Sequence, residues 1–300
     1  MNELTLSEVE RLASNAKHLS WIDFTGGEPT LRDDFADIVG CFIESCPSLM
    51  FVHFPSNGLF TQRVVKAVSD IARLKPRRFV VTISIDGPPD IHDGIRGVPG
   101  GFTRATRTYR ELEGIPGVDI YIGMTLVKQN VNSVSQAVDA LRQAIPNFSP
   151  GRMHVNIAHR SDHYYGNADE LSAGGVDEIA RAVGEFMAMK GHPSTAFDMV
   201  ERLYQRRVRS YLENGLCPMK CAAVLASCFM SADGTVYPCS IWDAPLGNVR
   251  EHGYSLKPLV RSQEAQRIRR CLIKKECPNC WTPCEAYPTI GSNLLRAFLR

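Results

Sequence analysis

Eight of the ten cysteines in this 300-residue chain lie between Cys217 and Cys284. Clustered thiols either pair as disulfides in an oxidising compartment or hold metal in a reducing one. The first residues, Met1-Asn2-Glu3-Leu4-Thr5, form neither a basic n-region nor an apolar h-region. No secretion signal is visible, and the metal reading follows. The short spacings Cys217-x3-Cys221 and Cys277-x2-Cys280 suit a zinc ribbon, so spacing alone supports zinc. Cys41 and Cys46 belong to an apolar helical stripe and read as packing residues. Cys228 reads the same way, and Cys271 as either packing or ligand.

Two other stretches combine glycine with charge. Thr25-Gly26-Gly27-Glu28-Pro29 follows a β-rich run. Paired glycines at a strand's carboxyl end let a ligand approach the backbone closely. Glu28 and the exposed carbonyls only accept hydrogen bonds, which suits a ligand carrying an ammonium group. The same letters also describe an ordinary strand-to-helix turn. Further on come Ser84-Ile85-Asp86-Gly87-Pro88, His92-Asp93-Gly94-Ile95-Arg96-Gly97 and Pro99-Gly100-Gly101-Phe102. Alone, this is a polar, glycine-rich loop with a solvated His and Arg.

The elements that carry these stretches alternate. Thr5 and Glu8 form a capping box for a first helix, with Leu4 and Val9 as its hydrophobic staple. Strands are expected at 21–25, 51–55, 79–85, 121–127 and 153–158. Helices are expected through Phe35–Phe42, Val64–Ile71, Phe102–Leu112, Val134–Ile145 and Val176–Met189. Successive βα units imply a parallel sheet, open or curved into a partial barrel, with ligands at the carboxyl ends of its strands. Phe197–Glu213 reads as a long helix stopped by Gly215. Beyond it, Asp233-Gly234 is a two-residue hairpin signal between 227–231 and 236–239.

The net charge of +2, with both signs interleaved, gives no electrostatic case for nucleic acid or a membrane surface. No apolar run is long enough to span a bilayer. The chain reads as soluble and cytoplasmic.

Together, the strand-end Gly-Gly-Glu-Pro, the Ser56-Asn57-Gly58 turn and the Ser84–Phe102 stretch resemble the radical SAM superfamily, specifically members that modify peptides or proteins. Cys221-x12-Gly234-x4-Cys239 and Cys277-x2-Cys280-x3-Cys284 resemble the opening and close of the SPASM/twitch domain, which binds auxiliary [4Fe–4S] clusters. The resemblance tips the metal from zinc to iron–sulfur. It implies an α/β fold: a partial (β/α)6 parallel barrel lacking its first strand, plus a small Cys-rich β-hairpin/α domain. The expected boundaries are a barrel over 1–195, a connecting helix over 196–216 and the cluster domain over 217–300.

The resemblance also implies S-adenosyl-L-methionine as cofactor. Gly26, Gly27 and Glu28 would meet its amino group, Ser84 and Asp86 its ribose and carboxylate, and Arg96 its carboxylate by bidentate pairing. Asn57 and Asn156 are further candidates, each equally readable as a turn or loop residue. The cluster ligands would come from Cys221, Cys239, Cys277 and Cys280, with Cys217 and Cys284 as competitors. One auxiliary [4Fe–4S] cluster is expected rather than two, because two SPASM cysteines have no counterpart here. Implied partners are a peptide or protein substrate and an electron donor such as flavodoxin or ferredoxin.

The superfamily's catalytic Cys-x3-Cys-x2-Cys precedes Gly-Gly-Glu-Pro, yet residues 1–40 contain no cysteine. No catalytic residue is therefore identified, and the expectation is a truncated chain, inactive as it stands. The alternative is a non-catalytic peptide- or SAM-binding protein with a structural iron–sulfur or zinc domain.

Overall fold

The computed structural model describes residues 2–167, 174–193 and 195–298, with side chains as far as residue 293. It is a mixed α/β protein whose five-stranded parallel sheet curls into a half-barrel, accompanied by a small antiparallel sheet. Residues fall into two compact units, one of Thr5–Thr125 with Asn132–Val155, the other of Met1–Leu4, Leu126–Val131 and Asn156–Arg300.

The first unit opens with α1 (Leu6–Asn15), capped by the reciprocal Thr5 and Glu8 bonds read from the sequence. Strands β1 (Trp21–Asp23), β2 (Phe51–Ser56), β3 (Phe79–Ser84), β4 (Val118–Leu126) and β5 (Met153–Ile157) stand side by side in chain order. Helices α2 (Phe35–Ser45), α3 (Thr61–Arg73), α4 (Pro89–Arg96), α5 (Gly101–Glu113) and α6 (Val134–Ala144) fall between them.

Strand alternation sorts the two faces of the sheet. On one face Val52 and Phe54 are buried, and the Phe35 ring of α2 meets Phe54 edge-on at 5.1 Å. On the other, His53 bridges Asp23 (2.7 Å) and Thr82 (2.9 Å) across three strands. Gly123 follows in that row. A Cβ there would stand 2.7 Å from a Thr82 methyl, so only glycine fits.

Helix α4 lies inside the stretch that sequence alone presents as a loop. Pro89 at its first position presets φ, and Gly97 at φ 65° ends it in the left-handed conformation.

In the second unit, α7 (Val176–Lys190) packs on α8 (Ala196–Asn214). Thr195 caps α8 at its start, and Gly215 stops it at φ 64°. The hairpin pairs β6 (Phe229–Met230) with β7 (Thr235–Tyr237), and β8 (Gly247–Asn248) completes the small sheet. Its turn is longer than the two residues expected. Ala232-Asp233-Gly234 close it, with Gly234 at φ 88° and its N–H bonded to Ser231 O. This is a type I turn followed by a left-handed glycine. Asp233 accepts the Ser231 hydroxyl and the Thr235 N–H, which fixes the shape.

Three helices follow within the cysteine- and proline-rich texture: α9 (Leu256–Val260), α10 (Gln263–Lys274) and α11 (Pro283–Phe298). Helix α11 packs on α8. Among the described residues no helix is long and apolar enough to cross a membrane.

One buried ion pair joins α7 to α8. Lys190 meets Glu201 at 2.5 Å, and Glu201 is 1% exposed. Burial outweighs the attraction of Lys190 and pushes the Glu201 carboxyl up to about 6, from 4.5. The folded chain then binds this proton more tightly than the unfolded chain does. Stability from Glu201 should therefore be present below about pH 4.5 and fall as pH rises through about 6. Glu201→Gln should flatten this part of the stability–pH curve, and denaturant titrations across that window will show it.

Candidate functional site

The residues expected at the sheet's carboxyl end gather in two small networks. Glu28 lies in the loop after β1. Its Oε2 accepts the Ser56 hydroxyl (3.0 Å) and the Asn57 N–H (2.8 Å), and its Oε1 accepts the Thr30 hydroxyl (2.7 Å) and N–H. The carboxylate thus ties the β1 loop to the end of β2. Asn57 spends its side-chain oxygen on the Leu59 N–H (2.8 Å), the local turn that its position suggested.

At Gly26 the backbone has φ 147°, and a Cβ on either Gly26 or Gly27 would meet nothing within 4 Å. Open space above a glycine pair is what a closely approaching ligand needs.

Ser84 ends β3, and Asp86 lies two residues beyond it. Asp86 is 3% exposed. Its Oδ2 accepts both Arg96 Nε (2.7 Å) and Nη2 (2.6 Å), and its Oδ1 accepts the Thr125 N–H (3.0 Å) near the end of β4. Asp86 and Arg96 therefore meet each other, with helix α4 carrying the arginine back over the strand end. The Asp86 N–H donates to His92 Nδ1 (3.1 Å), which leaves the proton of this buried imidazole on Nε2. Burial lowers the His92 pKa and keeps the ring neutral. Asp93 accepts the Gly100 and Phe102 N–H groups (2.5 and 2.8 Å) and so starts α5. His92 and Asp93, which the sequence shows only as polar loop residues, are thus the scaffold of the Asp86–Arg96 pair. Asn156 belongs to the second unit. Its Oδ1 is buried without a hydrogen-bond partner.

The cysteines come together in the second unit. Cys217, Cys221, Cys239, Cys277 and Cys280 line one cavity, with Trp281 and Glu285. Cys284 is exposed and does not line it. None of the ten cysteines is in a disulfide.

The local chain explains how each thiol is held. Asn279, at φ 53°, donates to Cys277 O (2.8 Å) and accepts the Cys217 N–H (3.3 Å), joining the two ends of the domain. The Ala223 N–H points at Cys221 Sγ (3.5 Å) and the Trp242 N–H at Cys239 Sγ (3.3 Å). Behind the cavity, Trp281 is 1% exposed and stacks on Tyr204 of α8 at 6.0 Å. Its indole N–H donates to Tyr204 O (2.9 Å).

Burial pushes the Cys221 thiol up to about 12, and raises Cys217, Cys239, Cys277 and Cys280 as well. Such thiols ionise only when a metal compensates their charge, and binding then releases their protons. Among the described residues no three His, Cys, Asp or Glu side chains close on a single point as ligands of one ion. Five thiols lining one cavity, with backbone N–H groups directed at two of the sulfurs, form a donor set that suits an iron–sulfur cluster.

Comparison with known proteins agrees with this chemistry. Residues 221–282 match the SPASM family, described as an iron–sulfur cluster-binding domain. The AdoMet-dependent heme synthase of Nitratidesulfovibrio vulgaris is 25% identical over 291 residues, which are 92% of this chain and 74% of that protein. The sporulation killing factor maturation protein SkfB of Bacillus subtilis is 25% identical over 243 residues, covering 77% of this chain but only 51% of SkfB. The mycofactocin maturase MftC of Mycolicibacterium smegmatis is 29% identical over 133 residues, 44% of this chain and 30% of MftC. The crystal structure of Streptococcus suis SuiB shares the fold with a TM-score of 0.54 at 14% identity, covering 79% of this chain and 54% of SuiB.

Proposed function

For a chain that belongs to the radical SAM superfamily and carries a SPASM domain, we propose a role in an S-adenosyl-L-methionine-dependent oxidoreductase that modifies a peptide or protein side chain, with one auxiliary [4Fe–4S] cluster. The observation that carries this reading is the five-thiol cavity, four of whose cysteines lie inside the SPASM match, in a chain whose parallel sheet holds Glu28 and Asp86 at its carboxyl end. The names of two relatives, a maturation protein and a maturase, support a peptide or protein as the substrate.

In this reading S-adenosyl-L-methionine supplies an organic radical that abstracts a hydrogen atom. The chain's own residues bind and orient. Gly26 and Gly27 would receive the ammonium group, in a loop that Glu28 ties to the end of β2. Arg96 offers its outer guanidinium edge to a carboxylate while Asp86 fixes its inner edge. The cysteine cavity would hold the auxiliary cluster, whose chemistry there would be electron transfer, with flavodoxin or ferredoxin as the external donor.

A second reading has one observation in its favour. The relative covering 92% of this chain is named a heme synthase, so a heme precursor is the competing substrate class.

The test starts with the metal. Purified without oxygen, the chain should be brown, with about four irons per molecule for one cubane and little zinc. A colourless protein with about one zinc per chain overturns the reading. No three-cysteine set stands among residues 1–40, so this chain alone should leave S-adenosyl-L-methionine intact under strong reductant. Formation of 5′-deoxyadenosine by it would contradict that part of the reading.

A further inference from the structure

The surface beside the cysteine cavity is charged in a way that the whole chain is not. Residues 256–276 carry seven lysines and arginines against two glutamates, a local charge of +5 in a chain whose total is +2. Helix α10 supplies most of these cations and has two distinct faces. Ala265, Ile268 and Leu272 form its buried stripe, and Leu272 lines the cavity. Arg267, Arg270 and Lys274, two residues out of step with that stripe, lie on the opposite face and are exposed. Ile273 stands among them, 58% exposed. The helix is capped by Lys275, whose carbonyl accepts Asn279 Nδ2 at 3.0 Å, and Asn279 lines the cavity as well. The cationic surface therefore reaches the rim of the thiol site.

Pairing within the helix accounts for only part of this charge. Arg267 pairs with Glu264, and Lys274 lies 3.9 Å from Glu276. Lys257, Arg261, Arg270 and Lys275 are exposed and form no ion pair among the described residues. Like charges gathered on the touching helices α9 and α10 repel one another until an anionic partner neutralises them. We propose that this face is the docking surface for an acidic electron-carrier protein, of the flavodoxin or ferredoxin class, that delivers electrons to the auxiliary cluster. The inference rests on the proposed cluster in the cavity. Charge steers the encounter, and Ile273 provides an apolar contact inside a charged rim. One helix, about 10–12 Å across, separates a carrier seated on the outer face of α10 from the cavity. On docking, one electron leaves the carrier and enters the cluster, and no bond is made or broken. Encounters of this kind bury little area and weaken with salt.

The test measures binding, so it does not depend on turnover. The anaerobically purified chain is titrated by calorimetry with oxidised flavodoxin and, separately, with oxidised ferredoxin. At least one carrier should bind, with an affinity that falls about tenfold or more between about 50 and about 200 mM salt. Arg261→Glu combined with Arg270→Glu should weaken binding at low salt by about tenfold or more while iron content stays at the parent's level. Arg107→Glu, on α5 of the first unit, should bind like the parent. Failure of both carriers to bind an iron-loaded chain, salt-independent binding, or unchanged affinity in the double variant would overturn the docking surface and leave the cluster reading intact. Binding of a short single-stranded RNA in place of both carriers would do the same. Uptake of zinc and no iron would overturn both. The salt dependence of the unmutated chain decides even where the double variant folds poorly.

Discussion

Cys239→Ala and Cys280→Ala should each remove most of the roughly four irons expected for one cubane, and loosen the C-terminal domain with them. Both thiols line the cavity, and burial raises the proton affinity of both, so each stays a protonated thiol when metal is withheld. The domain around them has short strands of two to three residues. Much of its order must come from the metal that joins Cys221 and Cys239, around the hairpin, to Cys280 before α11. Iron and sulfide analysis, with limited proteolysis of the cluster-free variants, will read both effects. Cys46→Ala is the control. That thiol donates to Ala16 O at 3.3 Å, far along the chain from the cavity, and its loss should leave iron unchanged. Full iron retention in Cys239→Ala would refute the placement of the cluster.

Trp281→Ala should destabilise the second unit by about 3–5 kcal/mol, the range for truncating a fully buried large aromatic residue. Trp281 is 1% exposed and stacks on Tyr204, which is itself fully buried and meets Tyr287 edge-on at 5.7 Å. These three rings fill the junction between α8 and α11. For a unit of this size the loss corresponds to a fall in melting temperature of roughly 10 °C. Trp281→Phe separates shape from hydrogen bonding. It keeps most of the ring but removes the indole bond to the Tyr204 carbonyl, and should cost about 1 kcal/mol. If Trp281→Ala melts within a degree or two of the parent, the aromatic junction does not hold the helices as described.

Much of the frame was legible in the residues. Alternating apolar runs marked all five parallel strands, and Thr5 with Glu8 and Gly215 marked two helix ends, because caps and periodicity are local properties. The longer hairpin turn was not legible. Asp233-Gly234 is compatible with two turn lengths, and the bonds from Ser231 and Thr235 to Asp233 choose between them. Helix α4 was hidden by its glycines and charges. Its Pro89 and Gly97 boundaries make sense only once Asp86 and Arg96 are seen to need a turn between them.

By itself, then, the sequence determined the chemistry on offer: a glycine pair with an acceptor, an acid and a guanidinium after successive strands, and thiols in short spacings near the C-terminal end. Residue types and near-neighbour spacing set those possibilities. Only the tertiary structure decided who meets whom. It saturates Glu28 with donors from β2, turns Asp86 and Arg96 toward each other, leaves Cys284 outside the cavity and brings Glu285 into it. Such pairings depend on contacts across tens of residues, where spacing carries no information and packing of the intervening helices fixes the distance.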